Sequence, residues 1–203
     1  YAETKNYPKS ISYFEKLVSD EDAENLHLGY YYLGRVYIES KAKDSFKKAE
    51  SSFKKSLQKR TDYAEAAIAL SLLYAENKME QQSIDILKEF SKENGPNIRV
   101  AEVLGAKYLE MDKTDLALEQ YEFLENHSED VLNLKVKVAL LLMESKQYVK
   151  AVSKLNEILK IVPESDKIRF YLAAVLEELN EGEKAIEQFQ KIPSTSTFYM
   201  DAV

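Results

Sequence analysis

The sequence has no cysteine and no tryptophan, and its 203 residues include only five glycines, four prolines and two histidines. Without cysteine there is no disulfide framework, no thiolate metal site and no cysteine nucleophile, and the compartment stays open between cytoplasm and periplasm. Scarce glycine and proline leave few turn formers for strand connections, which points to helices. Positive charge is short as well: 28 lysines and arginines face 35 acids, a net −7, which argues against nucleic acid as a partner. No run of roughly 18 apolar residues is present, so no membrane span is expected. The chain opens Tyr1-Ala2-Glu3 without Met or an apolar leader, the pattern expected of a processed piece of a longer protein.

What is present is a repeat. Hydrophobic residues make up 45% of the chain, enough for a packed core, and they recur in register. Small residues stand at Ala49, Ser83, Ala117, Ala151 and Ala185, spaced by 34. Four positions after each comes a bulky residue: Phe53, Leu87, Tyr121, Leu155 and Phe189. Upstream, Leu33, Leu70, Leu104, Val138 and Leu172 are each followed by Gly34, Ser71, Gly105, Ala139 and Ala173, and three residues later by Tyr37, Tyr74, Tyr108, Leu142 and Leu176. Ala101, Leu104, Gly105 and Tyr108 fall at i, i+3, i+4 and i+7, one face of a helix. Each unit is therefore two helices, and its two small columns let their backbones approach closely. The first unit has a longer spacing between those columns, with roughly three extra residues in a turn over 39–46, which a loop tolerates.

These columns resemble the tetratricopeptide repeat family, whose Leu-Gly-x-x-Tyr and Ala-x-x-x-Phe pattern appears as Leu33-Gly34 with Tyr37 and Ala49 with Phe53, and again as Leu104-Gly105 with Tyr108 and Ala117 with Tyr121. The resemblance covers about residues 27–199 as five full units. Ser10, Phe14 and Leu17 read as the second helix of a preceding unit, and Tyr199, Met200 and Val203 as the start of a following one. It implies an all-α fold over residues 1–203 as one domain: a right-handed superhelical solenoid of stacked hairpins, first helices lining a concave face. The family's first-helix Trp is replaced by Tyr30, Ala67, Ala101, Lys135 and Arg169. The two charged replacements predict looser packing at that edge. In register, the closing Pro appears only at Pro163.

First helices are expected near 23–40, 63–77, 97–111, 130–145 and 165–180, and second helices near 44–60, 79–94, 114–127, 148–161 and 182–191. Acids at Asp20-Glu21-Asp22, Ser128-Glu129-Asp130 and Ser165-Asp166 mark helix starts, where they complement the helix dipole. Asn94-Gly95-Pro96 marks a helix end.

Catalysis is not expected. His27 and His127 lack evident partners and read as surface structural residues, and no cofactor or metal set stands out. The basic run from Lys47-Lys48 through Lys54-Lys55 to Lys59-Arg60 reads as a solvated outer face, with an anionic surface as the sharper alternative.

By analogy with the family, the groove draws on Tyr31, Tyr32 and Arg35 in the first unit, Ile68 and Leu72 in the second, Val103 and Leu109 in the third, Val136, Leu140 and Met143 in the fourth, and Phe170 and Tyr171 in the fifth. Such an apolar lining is expected to hold a peptide or helical segment of a partner, with the aromatics as anchors. The family's clamp for a terminal carboxylate is missing, since its places hold Tyr31/Arg35, Ile68/Leu72 and Glu102/Ala106. Glu39, Glu76, Glu110, Glu144 and Glu178 share the thirteenth place. They read either as an acidic rim facing a basic partner or as solubilising charge. The expected function is a non-catalytic scaffold for a protein or peptide partner. The alternative is a structural spacer or a self-associating dimerisation arm.

Overall fold

A computed structural model describes residues 6–20 and 23–202. Tyr1-Ala2-Glu3, Glu21, Asp22 and Val203 lie outside the described residues. The described residues form helices and no strand: α1 (Tyr7–Ser19), α2 (Leu26–Ser40), α3 (Ser45–Lys59), α4 (Ala64–Glu76), α5 (Glu80–Asn94), α6 (Ile98–Glu110), α7 (Thr114–His127), α8 (Val131–Glu144), α9 (Tyr148–Ile161), α10 (Asp166–Glu178), α11 (Gly182–Phe189) and the single turn α12 (Tyr199–Ala202). The chain divides into two compact units at Val103/Leu104, inside α6.

Most boundaries fall within a residue or two of those predicted. α2 begins later, at Leu26, because Asn25 has φ 60, a left-handed conformation that cannot continue a helix. Asp20 closes α1 instead of opening α2. Asp130 stands at the N-cap of α8, yet its carboxylate accepts from Asn133 Nδ2 at 3.0 and 2.9 Å instead of capping a backbone N–H. Asn97 plays that part for α6, accepting from the Arg99 and Val100 amides at 3.0 and 3.3 Å.

The turn within each hairpin follows one rule. Lys41, Lys78, Asp112, Lys146 and Asn180 all have φ between 50 and 60, and the last four are again spaced by 34. In those four turns the residue at positive φ donates to the carbonyl three residues back, and the next residue donates to the carbonyl five back, as Met79 does to Tyr74 at 2.9 Å and Gln147 to Leu142 at 2.8 Å. These paired bonds satisfy carbonyls that a helix end otherwise leaves open. None of the five is glycine, so each turn carries a steric cost of roughly 1 kcal/mol.

In the first unit, α2 packs on α1 and α3, and α4 on α3 and α5. Leu33, Tyr37, Ala49, Phe53, Leu70, Leu73 and Tyr74 form the core. Gly34 is required by Phe53: a Cβ there would stand 2.6 Å from the ring. Ser71 and Ser83, the small residues of the next hairpin, are fully buried, and their hydroxyls meet at 2.8 Å while Ser83 donates to the Ser71 carbonyl at 2.7 Å. The small columns thus close two hairpins by different means, bare backbone in one and a hydroxyl pair in the other.

In the second unit, α8 packs on α7 and α9, and α10 on α9 and α11. Lys135, where the family places Trp, does not loosen its surroundings. Its ammonium lies 2.8 Å from Glu125 and 2.8 Å from Glu157, and Lys154 also reaches Glu125 at 2.8 Å. Glu125 is buried, so the cluster joins α7, α8 and α9 through charge held largely out of water. Both carboxylates hold the Lys135 ammonium above its ordinary range. Arg169, in the same place on α10, donates to the Pro163 carbonyl at 2.6 Å.

Candidate functional site

The first unit contains a cleft of about 290 Å³ between first helices. Its floor is Tyr31 and Ile38 of α2, Phe53 of α3, and Ile68, Leu72 and Leu73 of α4; Arg35, Glu65, Glu76 and Arg99 stand at its mouth. The helical period explains the grouping: Ile68 and Leu72 are one turn apart on α4, as Tyr31 and Arg35 are on α2. Leu72 is 48% exposed although its neighbours Leu73 and Leu70 are buried, so α4 is apolar on its open side as well as its packed side.

Tyr31 is held firmly. Its ring lies 6.0 Å from Phe53, 5.5 Å from Tyr63 and 5.2 Å from Tyr32, with the Arg35 guanidinium 6.0 Å above it. A ring fixed by its neighbours presents its free edge at little entropic cost. The mouth mixes signs: Arg99 pairs with Glu65, and Arg35 reaches Glu39 at 3.8 Å. Burial, with Glu65 adding to it, pushes the Tyr63 hydroxyl up to about 12.

The other sequence-predicted residues distribute unevenly. Tyr32 is turned from the cleft and stacks on Phe14 of α1, rings 5.9 Å apart. Val103 and Leu109, on α6, are half-buried. In the second unit Val136 lines a different cleft, of about 540 Å³, with Leu132, Asn133, Pro163, Lys167 and Ile168. Leu140 is exposed and Met143 half-buried. Phe170 is engaged within its own unit by Phe189 at 5.8 Å and Phe198 at 5.6 Å, and Tyr171 lies under the Lys167 ammonium at 5.8 Å. All five column glutamates are exposed, but they differ in company: Glu39 has Arg35, Glu144 accepts from Thr114 at 3.4 Å, and Glu178 adds to the desolvation that raises the pKa of Tyr148.

Neither histidine has the geometry of a reacting group. His27 is buried, not at the surface as expected. Its ring meets Tyr63 edge-on at 5.0 Å and faces Arg60 at 3.5 Å, and burial followed by Arg60 lowers its pKa. Its carbonyl accepts from buried Ser56 at 2.7 Å. His127 is exposed and donates through Nδ1 to the Phe123 carbonyl at 2.8 Å. Among the described residues no His, Asp and Glu group is placed to hold a metal, and no helix is long and apolar enough to cross a membrane.

Comparison with known proteins agrees with this architecture. Residues 142–197 match the tetratricopeptide repeat family. No curated protein sequence matches the chain. Among solved structures, YrrB, described as a TPR protein with an unusual peptide-binding site, superposes with a TM-score of 0.61 at 16% identity, covering 93% of this chain and 95% of its own. MamA from AMB-1 gives 0.58 at 17% identity, covering 87% and 97%, and MamA from MSR-1 gives 0.54 at 19%, covering 82% and 94%. At these identities the likeness concerns the fold, which by itself names no partner. Residues 142–197 thus carry the tetratricopeptide repeat pattern, and the other described residues share the helical-hairpin fold of the solved tetratricopeptide repeat structures.

Proposed function

We propose that the chain is a non-catalytic scaffold that binds a segment of a partner protein in the cleft between α2 and α4, through apolar side chains of the partner set against Tyr31, Ile68 and Leu72. Stacked helical hairpins serve as protein-interaction scaffolds, and YrrB, of the same fold, is described as binding peptide. The observation that carries the reading is the apolar floor left open at Leu72, in a cleft of about 290 Å³ large enough for one or two side chains. Glu76 at the mouth gives the cleft an acidic edge, so a partner carrying Lys or Arg beside its apolar anchor is favoured. Selection of peptides from a random display library on the immobilised chain tests this. Selected peptides are expected to be apolar, to lose more than about tenfold in affinity to Leu72→Asp, and to associate more slowly with Glu76→Lys. Peptides that bind Leu72→Asp unchanged would refute the site.

A second reading, a stacking or dimerisation arm, is favoured by apolar side chains exposed on helices near the two ends of the sequence: Tyr13 at 59% on α1, Ile186 at 56% on α11 and Met200 at 85% on α12. A molecular mass that rises with concentration, and falls back in Ile186→Asp, would support it; a constant monomer would remove it.

A further inference from the structure

A second cleft, of about 480 Å³, opens where α1 and α2 meet α3, and its chemistry is opposite to that of the first. Lys47, Lys48, Ser51 and Lys55 all line it. They lie at i, i+1, i+4 and i+8, one face of α3. Opposite them are Tyr30 and Tyr37 of α2, with Val18 and Leu33 as an apolar base.

The three lysines of the cleft differ from two other cations of α3 and its end. Lys54 is bound to Glu50 at 2.7 Å and Arg60 to Asp62 at 2.8 Å. Lys47, Lys48 and Lys55 have no carboxylate within ion-pair reach among the described residues; instead the Lys48 ammonium lies 5.4 Å from the Tyr37 ring centre and the Lys55 ammonium 5.5 Å from that of Tyr30. The one carboxylate in the cleft wall, Glu15, accepts from the Tyr37 hydroxyl at 2.7 Å. Three ammoniums are therefore gathered into one recess of a chain whose net charge is −7, two of them steadied by aromatic faces.

We infer that this cleft binds an acidic segment of a partner protein, with carboxylates on Lys47, Lys48 and Lys55 and a small apolar side chain on Val18 and Leu33. A recess with an apolar base suits a peptide better than the plane of an anionic membrane, which would meet extended lysines. The tyrosine faces are already occupied by ammoniums and so are closed to stacked bases, which disfavours a single-stranded nucleic acid.

The test is fluorescence anisotropy of the whole chain with a short labelled peptide in which carboxylates flank a leucine, at low and physiological salt. Binding is expected to be saturable, to weaken about tenfold when salt rises toward 0.15 M, and to fall at least about tenfold in Lys48→Glu with Lys55→Glu. The milder Lys48→Gln with Lys55→Gln should give an intermediate loss, and circular dichroism checks that both fold. Leu72→Asp should leave this binding intact, so its failure and that of the α2–α4 cleft are read separately. Three results would overturn the inference: no peptide binding at low salt, binding to phosphatidylserine vesicles but not to peptide, or salt-sensitive self-association abolished by the same lysine substitutions.

Discussion

The two units fill the same vacancy differently. At the place where the family carries Trp, the first unit has Tyr30, Ala67 and Ala101, and the second has Lys135 and Arg169. Around Tyr30 and Ala67 the core closes with rings and bare backbone, Phe53 against Gly34 being the tightest point. Around Lys135 it closes with four charges shared by three helices. One hairpin geometry thus accepts either solution, provided each buried charge finds partners. The first unit ties its tyrosines to carboxylates in a milder version of the same device: Tyr37 donates to Glu15 at 2.7 Å and Tyr74 to Glu50 at 2.8 Å.

The largest effect should come from removing the centre of the charged cluster. Glu125→Ala leaves Lys135 and Lys154 largely out of water with only Glu157 between them, and should cost about 3 kcal/mol. In the first unit, Lys54→Ala breaks a pair whose lysine is 51% exposed and should cost less than about 1 kcal/mol. Urea melts measure both. Replacing Glu125 by Leu together with Lys135 by Met should regain most of the loss, because the charges leave together. Equal costs for Glu125→Ala and Lys54→Ala would erase the contrast between the units.

The next effect sharpens the contrast at the glycines. Gly34→Ala drives a methyl to 2.6 Å from a ring that is fully buried and cannot swing aside, whereas Gly105→Ala places it 3.0 Å from Tyr121, whose ring needs to move only a few tenths of an ångström. Helix propensity favours both by about 1 kcal/mol. Overpacking should still leave Gly34→Ala about 1–2 kcal/mol less stable, and Gly105→Ala within about 0.5 kcal/mol of the parent. Thermal melts that rank them the other way would show that Phe53 repacks freely.

Much of this was legible in the sequence, and the reason is periodicity. Columns such as Ala49, Ser83 and Ala117 betray themselves because stacking repeats the same steric demand every 34 residues. Lys135 is not legible in this way, because a lone charge in an apolar column carries no sign of its partners: Glu125 and Glu157 stand on two other helices. The candidate site was legible in part. Ile68 and Leu72 meet Tyr31 because helical spacing places them, but the turning of Tyr32 onto Phe14 and the covering of Phe170 by Phe198 depend on rotamers and on a short terminal segment that period-counting does not reach. The column of non-glycine residues at positive φ stands at Lys78, Asp112, Lys146 and Asn180; Asp112 and Asn180 are residue types that tolerate this conformation, but the two lysines carry no turn signal, so the column does not declare itself.

The smallest effect concerns the two histidines, one in each unit. His27 is buried beside Arg60, and both burial and the guanidinium favour its neutral form, so its folded pKa lies below the ordinary value of 6.5. The unfolded chain therefore takes up a proton at higher pH than the folded one. Stability from His27 is fully present above about pH 6.5 and is lost as pH falls toward the folded value. Glu50 and Glu157 stay charged through this window, because Lys54 and Lys135 hold them below the ordinary carboxylate range. On lowering the pH from about 7.5 to about 5.5, the parent chain should lose more Tm than His27→Gln does. His127→Gln, in which an exposed ring of the second unit is replaced, is the control substitution. A parent Tm that does not change over this interval would mean that the imidazole takes its proton without leaving the Tyr63 ring, and the burial of His27 would then have no energetic consequence for the first unit.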